Sequence, residues 1–411
     1  MLKDMNIFKV AWYRTTQFVM NKIGMPFIKF PEPKTLKGPA FYVRAAEILA
    51  ENGYKKPLIV ADPILEQIGK MGPLTDQLEQ KGLKYSIYYG VEPNPTFNSV
   101  LPAIDAVKEN GTDSIIAFGG GSAIDVAKII GACISNDTKD ISSLKGLFKV
   151  KKKYPCLIAI PTTAGTGSEA TVAAVIIDPT TRSKYAINDP KLVPDYAILD
   201  ETLLETLPPK MIAATGMDAL THAVEAYIGN ALTRKTKKCS LYAVNIIYHN
   251  LLGLYQDPHN LAAGKNMIFA SYLAGVAFTR SYVGYVHALA HAIGGKYNVP
   301  HGLANAVLLP YVLEAYGKKA HKKLADLAKL IEIVHPESKT HKAAQAFIDY
   351  IKMLKFSLGI PAHFDNLIKK EDLDDLVKAA LHEANPLYPV PKILGAEELK
   401  AIYMEADPSC K

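Results

Sequence analysis

Along residues 1–205 short apolar runs alternate with segments of helical period. The runs lie at 58–61, 85–89, 114–118, 157–160 and 196–199. Apolar residues three and four apart mark helices at 44–51, 99–108 and 123–134. Unbroken apolar strands of this length predict a parallel sheet buried on both faces by helices. After Pro208 and Pro209 strand signals are scarce. Helical period then runs through 211–228, 235–252, 262–278, 320–333, 341–358 and 370–384. The pattern predicts an α/β N-terminal domain followed by an all-α C-terminal domain, with the boundary near residue 205.

The chain has 411 residues, too many for one ordinary core, which agrees with two domains. Its four cysteines are far apart and form no C-x-x-C pair, so a reducing cytoplasmic setting is expected. The net charge of +7 is concentrated at one end. Seven basic residues (Lys3, Lys9, Arg14, Lys22, Lys29, Lys34, Lys37) face only Asp4 and Glu32 in the first 38 residues. The body is close to neutral, which argues against a nucleic-acid partner. Residues 1–37 form a basic amphipathic arm. Met5, Phe8, Trp12, Val19 and Ile23 recur at helical spacing with Lys9, Arg14 and Lys22 between them. Such a helix packs on the body or on a second subunit, or lies on a membrane surface. No signal peptide follows, and no stretch reaches the about 20 apolar residues of a membrane span.

Two loops carry nucleotide chemistry. The run at 114–118 enters Gly119, Gly120, Gly121 and Ser122 just before a helix. Glycines admit a phosphate close to the backbone, and a helix N-terminus offers free N–H groups and a positive dipole end. The string is not G-x-G-x-x-G, and the same turn can stand without a ligand. The run at 157–160 leads into PTTAGTGSE at 161–169, where hydroxyls and glycines suit ribose and phosphate. Neighbouring strands would join the two loops into one Rossmann-like nucleotide site at the sheet's C-terminal edge. Asp62 follows the run at 58–61. It can accept hydrogen bonds from a ribose and repel a 2′-phosphate, favouring NAD over NADP, or simply form a turn before Pro63.

Metal chemistry is confined to the second half, because no histidine precedes His222. Asp218 and His222 are four apart, as are His287 and His291, and each pair shares a helix face. His301 lies between Pro300 and Gly302, on a turn. An acid with several imidazoles suits a divalent metal, although Asp–His pairs at this spacing also occur as plain hydrogen-bonded pairs.

These residues carry a resemblance. GGGSAIDVAK at 119–128, PTTAGTGSE at 161–169, GMDALTHAVEAY at 216–227, HALAH at 287–291 and PHG at 300–302 resemble the iron-containing (group III) alcohol dehydrogenases. Glycerol dehydrogenase and dehydroquinate synthase are relatives. The likeness runs from about residue 38 to the end. It implies Asp218, His222, His287 and His301 as metal ligands and His291 as a nearby histidine that handles protons or steadies the ligands. It implies Asp62, Asn94, Gly120, Gly121, Ser122, Thr162, Thr163 and Lys184 as NAD(H) contacts. The implied domains are 38–205 for the dinucleotide and 206–411 for metal and substrate, with Fe(II) or Zn(II) bound. The expected reaction is hydride transfer between a primary alcohol or its aldehyde and NAD(H), in a homodimer or larger homo-oligomer. Three alternatives stand beside it: a dehydroquinate-synthase-like lyase, a glycerol-dehydrogenase-like enzyme, and a membrane-surface or assembly protein using the arm on a retained dehydrogenase body. The arm has no counterpart in the family pattern. Arg280, Tyr282 and Tyr285 replace smaller residues and would narrow the substrate pocket.

Overall fold

A computed structural model of the chain describes residues 6–24, 27–180 and 184–411. Met5 and the other arm residues before Asn6 lie outside the described residues. The contacts divide the chain into two compact units. One comprises Phe30–Pro208 with Asp257–Gly275, and the other Met1–Lys29, Pro209–Gln256 and Val276–Lys411.

The first unit is built on strands β1 (Lys34–Lys37), β2 (Pro57–Ala61), β3 (Ser86–Tyr88), β4 (Ser114–Gly119), β6 (Leu157–Pro161) and β9 (Tyr196–Leu199), with β5 (Gly146–Leu147), β7 (Ala173–Ile177) and β8 (Lys184–Asn188) in a second sheet. The main sheet has the order β1-β9-β6-β4-β2-β3, and every pairing in it is parallel. Every residue of β2, β4 and β6 is buried. The two-residue period explains this, since alternate side chains serve opposite cores. Leu58, Val60, Ile115, Ala117, Leu157 and Ala159 pack with helix Gly121–Asn136. Ile59, Ala61, Ile116, Phe118, Ile158 and Ile160 pack with helices Ala45–Glu51 and Met71–Gln80. The five strands expected from apolar runs are all present.

The polar edge strand β1 and the small sheet β5-β8-β7 were not predicted. β1 reads Lys-Thr-Leu-Lys and is mostly exposed, so it carries no apolar run. It pairs with β9 through backbone bonds, and only Leu36 of its side chains is partly buried against the core.

The second unit is helical. Helix Pro209–Ile228 packs on Arg234–Gln256 and on His301–Tyr316, and Tyr285–Tyr297 packs on His301–Tyr316 and Leu373–Ala384. The helices at 285–297, 301–316 and 396–406 are additions to the six predicted. The first two are largely buried and rich in apolar residues, which blurs the amphipathic stripe. By length and composition helix Leu261–Ser281 is long and apolar enough to cross a membrane, although Lys265 and Arg280 interrupt it. Most of its apolar window is buried within the protein, as in a core helix.

Candidate metal centre and nucleotide edge

Three helices of the second unit deliver four side chains to one point. Asp218 and His222 come from consecutive turns of Pro209–Ile228, His287 from the first turn of Tyr285–Tyr297, and His301 from the start of His301–Tyr316. The expectation of a turn at His301 is corrected. His301 is the first residue of a helix whose N-cap is Pro300, and Pro fixes the entry geometry there. Gly302 permits the approach, since a Cβ at this position would lie 2.4 Å from the Ala214 carbonyl oxygen.

One potential ligand atom from each of the four residues lies within 4.8 Å of the others. Asp218, His222 and His287 are buried. Asp218 Oδ1 stands 3.8 Å from His287 Nε2 and 3.6 Å from His301 Nε2, and Asp218 Oδ2 is 4.0 Å from His222 Nδ1. These separations are too long for hydrogen bonds. They match donors arranged around a shared cation, since atoms about 2.0–2.2 Å from one ion stand roughly 3–4 Å apart. His287 Nε2 is buried without a hydrogen-bond partner among the described residues, as a ligand atom aimed at a metal would be. Three imidazoles and one carboxylate therefore fit a divalent metal.

The surrounding groups hold these atoms in place. Glu225 Oε2 accepts from His287 Nδ1 (2.6 Å) and from Gly284 N–H (2.9 Å), and Oε1 accepts from Val286 N–H (2.9 Å). One buried carboxylate thus caps helix Tyr285–Tyr297 and fixes the His287 tautomer with Nε2 towards Asp218. Burial disfavours protonated His287, but the Glu225 hydrogen bond and charge, with Asp218, outweigh it and raise its pKa. Asn305 Nδ2 donates to Asp218 Oδ1 at 2.7 Å and lies 3.1 Å from His301 Nε2. Sequence reasoning missed both supports, although signals existed. Glu225 continues the Asp218–His222 face at the next turn, and Asn305 lies one turn after His301.

His291 stacks on His301 with ring centroids 5.0 Å apart, and its Nδ1 is 2.8 Å from Glu383 Oε1. Tyr388 OH donates to the same Glu383 oxygen at 2.8 Å. Nothing in the sequence pointed to Glu383, which is 92 residues from His291. Tyr285 does not behave as a pocket residue. It is fully buried, and its hydroxyl bonds Asn385 Oδ1 and the Leu394 backbone. Arg280 Nη1 donates to Val276 O within its own helix.

In the other unit the nucleotide candidates gather beyond the C-terminal ends of adjacent strands. β4 pairs with β6 in register Gly119 to Pro161, and with β2, so the two loops are neighbours. A Cβ at Gly121 would come within 2.6 Å of the Thr166 side chain, which makes glycine necessary for the loops to meet. Thr162 N–H donates to Gly119 O at 3.0 Å. Asn94 lies beyond β3, where Ser122 Oγ donates to the neighbouring Pro93 O at 2.8 Å. Lys184 opens β8 opposite Ile177, whose N–H donates to Pro95 O. The carboxylate of Asp62 is already engaged, accepting the Gly120 N–H at 2.9 Å. Burial raises its pKa, and that hydrogen bond opposes the rise.

A support absent from the sequence reading is Lys128. Its buried ammonium is bonded at 2.6–3.1 Å to backbone and hydroxyl oxygens of Ser168 and Thr171 and to Ala173 O. Burial lowers its pKa to about 8, against the pull of Asp125 and Glu169. Lys128 ties the glycine-loop helix to the second loop.

Comparison with known proteins covers both units. Residues 33–201 match the family model for iron-containing alcohol dehydrogenase, and residues 212–406 match the C-terminal model of the same family. The chain belongs to the iron-containing alcohol dehydrogenase family. It is 38% identical over 333 residues to lactaldehyde reductase of Escherichia coli (strain K12), spanning 80% of this chain and 87% of that protein. A solved 1,3-propanediol oxidoreductase superposes with a TM-score of 0.88 at 34% identity, covering 92% of this chain and all of that one. Sulfoacetaldehyde reductase from Bifidobacterium kashiwanohense, solved in complex with NAD+, superposes with a TM-score of 0.81 at 27% identity, covering 92% and 98%. Membership makes the chain an NAD-linked alcohol dehydrogenase of the iron type. The comparisons do not favour a lyase, a glycerol-dehydrogenase-like enzyme or a non-enzymatic assembly protein over this reading.

Proposed function

We propose that Asp218, His222, His287 and His301 hold one divalent metal, and that the enzyme transfers a hydride reversibly between a small primary alcohol or its aldehyde and NAD(H). Alcohol and NAD+ give aldehyde, NADH and a proton. The observation that carries the metal assignment is the cluster of ligand atoms within 4.8 Å, three of its four residues buried. When bound, the metal supplies a Lewis acid for the substrate oxygen, and the nicotinamide gives or takes the hydride. The donor set accommodates Fe(II) and Zn(II) alike.

The chain's own residues do the rest. Asp218 supplies the compensating negative charge. Glu225 and Asn305 keep the ligand atoms aimed inward. His291 has Nδ1 tied to Glu383, which makes Nε2 the atom that exchanges the hydroxyl proton. Gly120 and Gly121 present a helix N-terminus to the pyrophosphate, and Ser122, Thr162, Thr163, Asn94 and Lys184 contribute polar contacts. Asp62 disfavours a 2′-phosphate. We assign 38–205, which forms one compact unit with Asp257–Gly275, to the dinucleotide and the rest of 206–411 to metal and substrate. Four widely spaced cysteines that form no C-x-x-C pair support a reducing, cytoplasmic setting.

The test is a panel of short aldehydes with NADH and NADPH before and after chelation. Metal-dependent turnover with NADH is expected. Turnover that survives full metal removal would sink the metal role, and a preference for NADPH would overturn the reading of Asp62.

A further inference from the structure

The arm has two faces of opposite character. Helix Ile7–Phe18 continues as a π-helical segment, Val19–Gly24. Its inner face buries Tyr13 and Gln17. Arg14 donates through Nη1 to Val390 O (2.7 Å) and through Nη2 to Pro391 O (2.9 Å), and Gln17 Nε2 donates to Tyr388 O (2.7 Å). A guanidinium clamped on two carbonyls, with an amide beside it, sets the roll of the helix. The opposite face is thereby committed outward.

That outward face is apolar. Phe8 is 82% exposed and Trp12 57%, and Ile7, Phe18, Val19 and Ile23 are exposed with them. Phe8, Trp12, Val19 and Ile23 follow one another at four- and seven-residue spacing and form a single stripe. A contiguous apolar stripe flanked by exposed lysines marks an interaction site. Charge identifies what covers it. Residues 6–24 contain no acidic residue, and Lys9, Lys22 and the following Lys29 are exposed. Two copies meeting through this face would bring those like charges together with no carboxylate between them. An anionic lipid surface complements them and accepts aromatic and aliphatic side chains at the headgroup boundary, where tryptophan is favoured.

We propose that the N-terminal helix docks the enzyme on an anionic membrane surface, seating Phe8, Trp12, Val19 and Ile23 in the headgroup region with Lys9 and Lys22 against the phosphates. Trp12 is the only tryptophan in the chain, so tryptophan emission reports on this face directly. The full-length protein is titrated with phosphatidylglycerol-containing vesicles and with pure phosphatidylcholine vesicles, following emission and co-sedimentation. The expected result is a blue shift and co-sedimentation with the anionic vesicles, at least about tenfold weaker on neutral ones and weakened by salt. Phe8→Glu with Ile23→Glu abolishes binding while leaving aldehyde reduction in solution unchanged. Lys9→Gln with Lys22→Gln weakens binding roughly 25-fold, since each cation near such a surface contributes roughly fivefold. Absence of a shift with anionic vesicles overturns the proposal, as does unchanged binding by either double variant. Emission already blue-shifted without lipid, in an oligomer that the Phe8→Glu, Ile23→Glu variant dissociates, assigns the face to a second copy instead.

Discussion

Replacing Glu225 with glutamine separates metal positioning from helix capping. Three buried donors converge on this carboxylate: Gly284 N–H and Val286 N–H at 2.9 Å and His287 Nδ1 at 2.6 Å. An amide of the same shape offers one oxygen. Whichever way it turns, at least one N–H faces an NH2 group, at a cost of about 1–3 kcal/mol. In a unit of this size that lowers the melting temperature by several degrees. The second effect concerns the metal. Without the carboxylate the His287 ring is free to turn or to change tautomer, and metal affinity should fall about 10–100-fold, equivalent to about 1.4–2.7 kcal/mol. Competition for Zn(II) against a chromophoric chelator measures the affinity, and thermal melts in metal-free buffer measure the fold. A lower melting temperature with metal affinity within about threefold of wild type would refute the positioning role and leave Glu225 as a helix cap alone.

Gly302→Ala forces a Cβ to within 2.4 Å of Ala214 O, so helix His301–Tyr316 must retreat and take His301 away from Asp218. About 1–3 kcal/mol of stability should be lost, together with metal affinity, and wild-type melts and metal titrations would contradict the close approach. Glu169 predicts a pH dependence. Burial raises its pKa from 4.5 to about 7, so between those values the folded state keeps a proton that the unfolded state has released. Stability therefore falls as pH rises through that window, by up to roughly 3 kcal/mol, less whatever the neighbouring Lys128 ammonium returns. Urea unfolding of Glu169→Gln should be flatter than wild type from pH 4.5 to 7, and an identical profile would show that the carboxyl titrates normally.

What the sequence disclosed follows from what burial does to a pattern. Strands β2, β4 and β6 are buried on both faces, so they are unbroken apolar runs and were readable as such. Strand β1 is held by backbone bonds to its neighbour, and its side chains carry no trace of that. The helices bearing His287 and His301 are largely buried and rich in apolar residues, which blurs any stripe. Their histidines were found by spacing and resemblance instead. Local support was legible in principle: Glu225 lies on the Asp218–His222 face, and Asn305 one turn beyond His301. Glu383 was not legible, because its meeting with His291 exists only after distant helices pack. The anchoring of Arg14 on Val390 and Pro391 is long-range in the same way. Asp62 was correctly placed at a strand end, but its bond to Gly120 N–H depends on the pairing of β2 with β4.

The most direct measurement is the metal stoichiometry of the purified full-length protein beside His287→Ala, with circular dichroism confirming that both are folded. One divalent ion per chain in the wild type, lost from His287→Ala together with aldehyde reduction, is the predicted result. A wild-type protein that binds no divalent metal, or a His287→Ala variant that keeps its full complement and full activity, would contradict the assignment of Asp218, His222, His287 and His301 as the metal centre.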